Sequence, residues 1–468
     1  MNIFETFRNI FAILDLRKRV LFTFGLLAIY RIGSHIPTPG LDASALEEFF
    51  RANQSGLLGF LDVFSGGALR RLSVFALGIT PYITASIILQ LLTVVWPFLE
   101  KLSKEGEMGR RKITQYTRYG TVILSVVQGA GIALWLWGQQ TQSGRFLALR
   151  DPNSDVGRLA FILLAILTLT TGTAFVMWLG EQITERGVGN GISLIIFAGI
   201  VAGFPSAVIS TFQQLQRGQL ALFSGLLLLI FMLAVVAAIV FVERAQRRIP
   251  VQYAKRVVGR RIYGGQNTYL PLRVNTGGVI PIIFAVSIIQ FPQYIASAFK
   301  SDFMKRIAEQ LAIGQPLYNV FYAASIIFFC YFYISIIFNP NDTAENMRKY
   351  GGFIPGIRPG KATSDYIDNV LTRITLIGAL YLVIVALIPE FLLMGVKVQT
   401  IPGVGPWLDT HLPAFVTQGL GLTFYFGGTS LLIVVGVAMD TVQQVESQLV
   451  MRNYDGFLKK GRIRGRRA

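Results

Sequence analysis

Residues 220–242 read LALFSGLLLLIFMLAVVAAIVFV, a run without a single charged side chain. A helix that crosses the hydrocarbon core of a bilayer needs about 20 predominantly apolar residues, so this run predicts a transmembrane helix. The composition of the whole chain agrees, because 53% of its 468 residues are hydrophobic and only 15% are charged. A typical soluble domain carries about 25% charged residues. The sequence therefore predicts an integral membrane protein.

Nine further apolar runs lie on either side of this one, and together they predict an all-α membrane protein with ten spans. In chain order the predicted spans are 20–36, 74–95, 119–138, 158–179, 188–208, 220–242, 275–298, 317–338, 371–394 and 421–440. The first span is the shortest and contains Arg31 toward one end. The long side chain of Arg31 is expected to snorkel to the membrane surface.

Lysine and arginine are distributed unevenly between the predicted loops. If the N-terminus is cytoplasmic, the cytoplasmic segments hold 31 of these residues and the external segments hold 11. Because cytoplasmic loops carry the excess of positive charge, both termini are predicted to be cytoplasmic. The formal net charge of +18 suits anionic lipid, an acidic partner, or nucleic acid that comes as part of a ribosome.

Ten spans divide into five and five, and the same helix break occurs in both halves. The second span of each half opens with a Gly-x-x-Pro sequence, Gly78-Ile-Thr-Pro81 in one and Gly278-Val-Ile-Pro281 in the other. An odd number of spans per half places the halves in opposite orientations, and matching breaks in inverted halves indicate a central pathway. Chance glycine and proline in membrane helices is the alternative explanation.

The predicted domain boundaries follow from the spans and the loops. They are a cytoplasmic amphipathic N-terminus at 1–19, an N-terminal half at 20–208, a connecting external loop at 209–219, a C-terminal half at 220–440 and a basic cytoplasmic tail at 441–468. The N-terminal segment alternates polar and apolar residues, which predicts a short helix along the membrane surface.

Three segments outside the spans are unusual. Residues 57–69 are too short to span and too apolar for an ordinary external loop, so they predict a re-entrant helix or an interfacial amphipathic segment. The cytoplasmic loop 243–274 contains three basic pairs, and its stretch 260–265 predicts a β-hairpin. The cytoplasmic loop 339–368 is rich in Gly, Pro and Asn. Both loops fit either a docking surface or a solvated positive flank.

Sequence signals of catalysis are nearly missing. The two histidines, His35 and His411, lack metal-ligand spacing, and neither a nucleophile elbow nor a His-Glu-x-x-His motif occurs. We therefore expect no enzymatic activity and no cofactor.

The predicted spans lack a midplane Asp, Glu or His, which disfavours an ion-coupled transporter. The apolar segment 57–69 and the basic loops disfavour a lipid scramblase or a scaffold. An aliphatic passage would exclude water and ions at rest.

Several long motifs resemble those of the bacterial SecY family, whose members form the channel of the protein-secretion translocon. The motifs are Phe64-Ser-Gly-Gly-Ala-Leu69, Phe75-Ala-Leu-Gly-Ile-Thr-Pro-Tyr-Ile-Thr-Ala-Ser-Ile87, Gly180-Glu-Gln-Ile-Thr-Glu-Arg-Gly187, Gly189-Asn-Gly-Ile-Ser193 and Gly356-Ile-Arg-Pro-Gly360. The resemblance implies ten helices in two inverted five-helix halves around a central pore, with a short re-entrant plug helix. The implied function is to pass unfolded secretory polypeptides across the membrane and to release hydrophobic segments sideways into lipid.

The resemblance also implies which residues act in the channel. The pore ring falls on six isoleucines, namely Ile79, Ile83, Ile192, Ile196, Ile283 and Ile433. The plug helix falls on about Leu57–Arg70, with Leu57, Phe60, Phe64, Ser65, Gly66 and Gly67 as plug residues. The lateral gate lies between helices two and three on one side and helices seven and eight on the other. Its polar residues are Thr84, Gln90, Gln128 and Asn275. Hydrogen bonds among the three amides, about 1 kcal/mol or less each, are expected to tune the gate.

The resemblance assigns the two long cytoplasmic loops to docking of the ribosome and of the SecA motor. The expected docking residues are Arg247, Arg248, Lys255, Arg256, Arg260, Arg261 and Arg358. The expected partners are the small membrane subunits SecE and SecG, the SecA ATPase, the RNA of the ribosome, client proteins with signal sequences, and anionic lipid. The expected location is the cell inner membrane, with a thylakoid membrane as the alternative. The external loop 395–420 is longer than expected for the family.

Overall fold

The computed structural model describes most of the chain. The described residues are 13–52, 65–139, 146–147, 155–218, 222–253, 256–258, 261–263, 268–298, 310–311, 314–395 and 428–460. Most of the predicted amphipathic N-terminus and of the external loop 395–420 lies outside them. The predicted plug residues Leu57, Phe60 and Phe64 also lie outside the described residues.

Helices dominate the described residues, and strands occur only in the two long predicted cytoplasmic loops. The helices are α1 (Leu14–Gly33), α2 (Ala43–Ala52), α3 (Thr80–Val95), α4 (Pro97–Lys104), α5 (Glu107–Trp137), α6 (Asp155–Arg186), α7 (Gly191–Gln216), α8 (Leu222–Arg244), α9 (Ile280–Ala298), α10 (Pro316–Ile337), α11 (Pro340–Lys349), α12 (Lys361–Met394) and α13 (Gly428–Lys460). The strands are β1 (Gln246–Tyr253), β2 (Arg256–Val258), β3 (Arg261–Tyr263), β4 (Thr268–Arg273) and β5 (Gly352–Phe353).

Each of the ten predicted spans overlaps one of these helices. By length and composition, seven helices of the described residues are able to cross a membrane, and an eighth is added if α3 and α4, bent by 99°, form one broken span. Helix α1 carries Arg17, Lys18 and Arg19 in its first turns, which shortens its apolar part. Within α9, the stretch Ile280–Ile289 is a shorter apolar helix that is not counted among these seven. The all-α membrane fold is confirmed, and the number of ten spans stays a prediction.

The two predicted helix breaks have the same local geometry. Gly78 and Gly278 have φ angles of +55° and +59°, in the left-handed region that glycine adopts without strain. Helices α3 and α9 each begin two residues later, with Pro81 and Pro281 as their second residues. Proline suits the first turn because its φ is already helical and its missing N–H has no partner to lose. Helix α3 therefore begins at Thr80, six residues after the predicted start of its span.

The chain divides into two compact units. The first unit contains Met1–Ser210, Gln290–Ala312 and Val437–Ala468, and the second contains Thr211–Ile289 and Ile313–Gly436. The inverted relation of the two sequence halves stays a prediction.

A buried cluster of the first unit joins α2, α5, α6 and the segment that precedes α3. It contains Leu41, Ala45, Leu46, Phe50, Leu69, Leu72, Ala76, Leu77, Ala133, Leu136, Trp137, Leu147, Phe161, Ala165 and Leu169. The chain that follows α1 is bonded to the same segment. The Thr38 N–H donates to the Leu72 carbonyl at 2.8 Å, and the Val74 N–H donates to the Ile36 carbonyl at 2.9 Å.

The second unit carries a three-stranded antiparallel sheet with the order β4-β1-β5. Strand β1 follows α8 directly and pairs with β4, beginning with Gln246 opposite Arg273. On its other edge β1 pairs with β5, where Gln252 lies opposite Phe353. The two long predicted cytoplasmic loops are therefore joined by main-chain hydrogen bonds.

A separate two-stranded ladder lies in the loop between β1 and β4. Strands β2 and β3 pair antiparallel, with Arg256 opposite Tyr263 and Val258 opposite Arg261. The strand predicted within 260–265 is confirmed as β3, but it pairs with the preceding strand β2, and the predicted turn at 264–265 lies outside the described residues.

The inner face of the three-stranded sheet packs on the beginning of α12. Alternation along β1 buries Ile249 and Val251 and exposes Arg248 and Pro250, as expected for a strand with one solvated face. The buried cluster beneath the sheet contains Ile249, Leu272, Ile354, Ile367 and Ile374. The two loops thus form one packed body with a basic outer face.

Candidate pore, gate and docking surface

The six predicted pore isoleucines all lie at the beginnings of helices. They are Ile79 and Ile83 at α3, Ile192 and Ile196 at α7, Ile283 at α9 and Ile433 at α13. Five of them are less than 10% exposed, and Ile192 is half-buried. Four belong to the first unit, whereas Ile283 and Ile433 belong to the second. A ring would combine residues from both units, and it stays a prediction.

The loop between α6 and α7 positions the beginning of α7. Gly189 has a φ angle of +87°, which reverses the chain. The Oδ1 atom of Asn190 then accepts a hydrogen bond of 3.1 Å from the Ile192 N–H and caps the helix. A Cβ atom on Gly191 would overlap the carbonyl oxygen of Gly180, so glycine is required for this close packing. The loop therefore fixes where Ile192 stands on the first turn.

The two predicted pore residues of the second unit lie on helices that touch. A Cβ atom built on Gly436 of α13 would lie 3.2 Å from the side chain of Val279, the residue before α9. Ile433 is three residues from Gly436, and Ile283 is four residues from Val279. Positions three and four apart share one face of a helix. Both isoleucines are therefore one turn from the same contact.

The predicted gate residues of the first unit bond mainly within their own helix. The Thr84 hydroxyl donates to the Thr80 carbonyl at 3.0 Å, and the Gln90 Nε2 donates to the Ser86 hydroxyl at 3.1 Å. Gln128 on α5 is 6% exposed, and its amide oxygen has no hydrogen-bond partner among the described residues. These three side chains sit on α3 and α5, which pack together.

Asn275 is paired with a residue that sequence reasoning missed. Its Nδ2 donates to Oε1 of Glu243 at 2.6 Å and to the Gly278 carbonyl at 3.1 Å, and the side chain is 6% exposed. The expected hydrogen bonds among Asn275, Gln90 and Gln128 stay a prediction. A carboxylate is the stronger acceptor, because a hydrogen bond to an ionised group is charge-assisted.

A signal for Glu243 was present in the sequence. It is the first acidic residue after the charge-free run 220–242, at the point where a membrane helix meets a polar loop. The separation of 32 residues between Glu243 and Asn275 hides their contact in the sequence.

The short segment Ser65–Gly67 is held by α1. The Arg31 guanidinium donates a hydrogen bond of 2.6 Å from Nη1 to the Gly66 carbonyl. Gly66 also packs against Gly199 of α7, where a Cβ atom would lie 2.8 Å from the Gly199 Cα. Arg31, which is expected to snorkel to the membrane surface, therefore also has a buried carbonyl within reach of its fork of donors.

The first predicted docking residues are exposed at the end of the sheet that follows α8. Arg247 and Arg248 are both exposed on β1, next to α8. Arg273, which sequence reasoning did not single out, is exposed on β4 opposite Gln246. Arg256 and Arg261 belong to β2 and β3, whereas Lys255 and Arg260 lie outside the described residues.

Arg358 projects from a loop that is bonded at both ends. The Ile357 N–H donates to the Ile354 carbonyl at 3.1 Å, and the Thr363 hydroxyl donates to the Arg358 carbonyl at 2.9 Å. Gly356 and Gly360 flank the loop with φ angles of +81° and +105°. The Arg358 side chain itself is exposed. A restrained backbone with a free guanidinium is suited to bidentate contact with a carboxylate or a phosphate.

The fold and the site together define a multi-span helical membrane protein with apolar helix starts and a basic platform formed by the three-stranded sheet. The SecY family model matches residues 73–442. The protein translocase subunit SecY of Escherichia coli (strain K12) is 50% identical over 455 residues, which cover 96% of this chain and 96% of that protein. Its counterpart from Thermotoga maritima is 45% identical over 471 residues, covering 99% and 100%. The chain belongs to the SecY family.

Solved structures agree on the fold. A structure described as that of a protein conducting channel has a TM-score of 0.62 and 18% sequence identity, covering 92% of both chains. Sec61 in the canine ribosome-channel complex from the endoplasmic reticulum has a TM-score of 0.57 and 17% identity, with the same coverage. At this identity the likeness supports the channel fold of the present chain.

Proposed function

We propose that this chain is the channel-forming subunit of a protein translocase, which passes unfolded secretory polypeptides through its centre and releases hydrophobic segments into lipid. The observation that carries the proposal is the identity of 50% to a protein translocase subunit over nearly the whole chain. The paired helix starts after Gly78 and Gly278 support it, because interrupted helices in related halves mark a pathway.

The pore function rests on the chemistry of isoleucine. Six branched aliphatic side chains at helix starts would form a narrow waist that water wets poorly, so resting channels exclude ions. The same side chains have no charge to desolvate when a polypeptide passes, whereas charged residues would be costly to dehydrate. Burial of five of the six isoleucines in the described structure supports a dry waist.

The lateral gate is proposed between the α3–α5 pair and the α9–α10 pair. A hydrophobic client segment would leave the pore between these pairs and partition into lipid. The polar residues Gln90, Gln128 and Asn275 belong to three of these helices or to their flanks. The proposed role of α9 is to move away from its resting position when a client engages.

The platform formed by the sheet and the Arg358 loop is the proposed docking site for the ribosome and for the SecA motor. A channel does not itself hydrolyse a nucleotide under this proposal, and the driving energy comes from the docked partner. Exposed arginines on β1 supply attraction to RNA phosphates that salt screens, and Arg358 supplies a directed contact. SecE and SecG are the proposed membrane partners, and anionic lipid is the proposed surface ligand of the basic segments.

We place the protein in the inner membrane with both termini in the cytoplasm, in agreement with the excess of lysine and arginine in the assigned cytoplasmic segments. The proposal is tested by reconstitution of the purified chain with its candidate small subunits and SecA in proteoliposomes. Uptake of a signal-bearing precursor into a protease-protected space is the expected result. No uptake with any of these partners, from vesicles that contain folded protein, would contradict the proposal.

A further inference from the structure

The hydrogen bond between Glu243 and Asn275 closes a stem that joins the cytoplasmic sheet to α9. Strand β1 follows α8 after one residue, and β4 leads back toward α9. The ladder of β1 and β4 continues beyond the strands, because the Val274 N–H donates to the Ala245 carbonyl at 3.0 Å. Asn275 follows Val274 directly, Glu243 lies two residues before Ala245, and the Asn275 Nδ2 donates to the Glu243 carboxylate at 2.6 Å. The stem is therefore bonded up to the first residues before α9.

Helix α12 packs against the same point. A Cβ atom on Gly378 would lie 2.5 Å from the Val274 carbonyl oxygen and 3.7 Å from the Asn275 Cα. Tyr381 is three residues further along and thus lies on the same face of α12. The hydroxyl oxygen of Tyr381 is buried and has no hydrogen-bond partner among the described residues. The Glu243 carboxylate acts electrostatically on this hydroxyl. A second buried donor therefore lies on the face of α12 that packs against Val274 and Asn275.

We propose that Glu243 is a positioning residue that holds the start of α9 through Asn275 at rest, and that the Tyr381 hydroxyl replaces Asn275 as its donor when α9 moves. The inference rests on the proposed function, in which α9 is a moving helix of the lateral gate. Loss of the Asn275 donor removes a charge-assisted hydrogen bond from a half-buried carboxylate and so opposes opening, because desolvated charges are stabilised by hydrogen bonds. An exchange of donors lowers that cost and makes both positions of α9 accessible.

Replacement of one donor by the other predicts that loss of Asn275 and loss of the Tyr381 hydroxyl have opposite effects on the hydrophobicity that a test segment needs for integration into lipid. Asn275→Ala removes the resting bond and favours displacement of α9, so less hydrophobic test segments are integrated into lipid. Tyr381→Phe keeps the resting bond and removes the second donor, so more hydrophobic segments are required. Thr171→Val is the control for loss of a hydroxyl, because the exposed Thr171 hydroxyl bonds the Leu167 carbonyl within α6, a helix outside the proposed gate, and its loss should shift nothing.

Amide hydrogen exchange of the full chain in lipid nanodiscs tests the resting bond without reference to translocation. Glu243→Met removes the acceptor and is expected to speed exchange in the first turn of α9, including the Ile283 N–H, by about tenfold, the equivalent of about 1.4 kcal/mol. Glu243→Gln keeps an uncharged acceptor and is expected to give a smaller increase. Unchanged protection in both variants would overturn the proposal.

The integration assay is then run with a graded Leu/Ala series of test segments. The proposal requires that Asn275→Ala and Tyr381→Phe shift the threshold in opposite directions, and that Tyr381→Phe has no effect once Glu243 is replaced by Met. Shifts in one direction, or a Tyr381→Phe effect that survives in the Glu243→Met background, would contradict it. A wild-type channel that integrates nothing would instead contradict the proposed function, and the exchange experiment would still test the Glu243 contact.

Discussion

Arg31 on α1 and Gly66 in the segment before α3 are joined by a hydrogen bond of 2.6 Å. The bond is made by an ionised donor to a main-chain carbonyl, and such bonds contribute about 1.5 to 3 kcal/mol. Gly66 and Gly67 both have positive φ angles, of +66° and +84°, so this part of the chain is a tight bend. The arginine therefore ties the bend to the first helix.

Loss of the Arg31 guanidinium should loosen this bend. Arg31→Met is expected to destabilise the segment by about 1.5 kcal/mol or more and to raise the ion leak of resting channels in planar bilayers. Arg31→Lys, which has fewer donors, should give an intermediate leak. Arg217→Met is a control for the lost charge, since Arg217 is exposed at the end of α7. Equal currents from Arg31→Met and wild-type channels would show that the bond does not support the seal.

The isoleucine waist makes a second electrical prediction. Changing Ile83, Ile192 and Ile283 together to Ser adds three hydroxyls that hydrogen-bond water. At about 1 kcal/mol each they should favour the wetted state by roughly a hundredfold, with a corresponding rise in resting conductance. Single-channel recording of the resting variant provides the measurement.

The matched control replaces three isoleucines that are exposed on the described structure. They are Ile123, Ile230 and Ile377, which are 64%, 58% and 60% exposed. These side chains are expected to face lipid, so the control triple variant should stay electrically silent. If the triple serine variant of the pore isoleucines conducts no ions, or if the control variant leaks equally, the prediction of an isoleucine waist is contradicted.

Docking should separate into a directed and a diffuse component. Arg358→Glu is expected to block motor-driven translocation while the protein still inserts, and Arg358→Lys should impair it less, because lysine cannot make the bidentate contact. Translocation of a secretory precursor into vesicles is the readout. Arg217→Glu reverses the same charge on the predicted external side and should have no effect. A normal rate for Arg358→Glu would reduce this residue to a positive flank.

Neutralising the sheet arginines should act differently. Changing Arg247 and Arg248 to Gln leaves the buried face of β1 intact, since both side chains are exposed. Ribosome affinity should fall, and its dependence on salt should become shallower, because fewer counterions are released on binding. Binding measured at three salt concentrations gives the slope. An equal loss of ribosome affinity at all three salt concentrations, with an unchanged salt dependence, would argue against phosphate contact.

The architecture was largely predictable from the sequence, because the apolar runs and the Gly-x-x-Pro breaks are local signals. The beginning of α9 two residues after Gly278 follows from backbone conformation and from Pro281 alone. The partners of polar side chains were not predictable. Asn275 bonds Glu243 from 32 residues away, and Arg31 bonds Gly66 from 35 residues away. Both contacts depend on how helices pack, which sequence spacing does not encode.

The joining of the two cytoplasmic loops was also hidden from the sequence. Strand β5 is only Gly352–Phe353, too short to show an alternating pattern, and it pairs with β1 from about 100 residues earlier. Its pairing depends on a buried cluster to which each loop contributes two residues, Ile249 and Leu272 from the first and Ile354 and Ile367 from the second.

Contact between the waist and a moving polypeptide tests the central claim most directly. A photoreactive residue is introduced singly at Ile83, Ile196, Ile283 or Ile433, and a secretory precursor is arrested halfway through the reconstituted channel. Leu163 and Leu229, each 58% exposed on α6 and α8, serve as controls. The account predicts crosslinks to the arrested precursor from all four isoleucine positions and none from the two leucines. Crosslinks from the two leucine positions would contradict the account. The absence of crosslinks from the isoleucine positions of both units would contradict it as well.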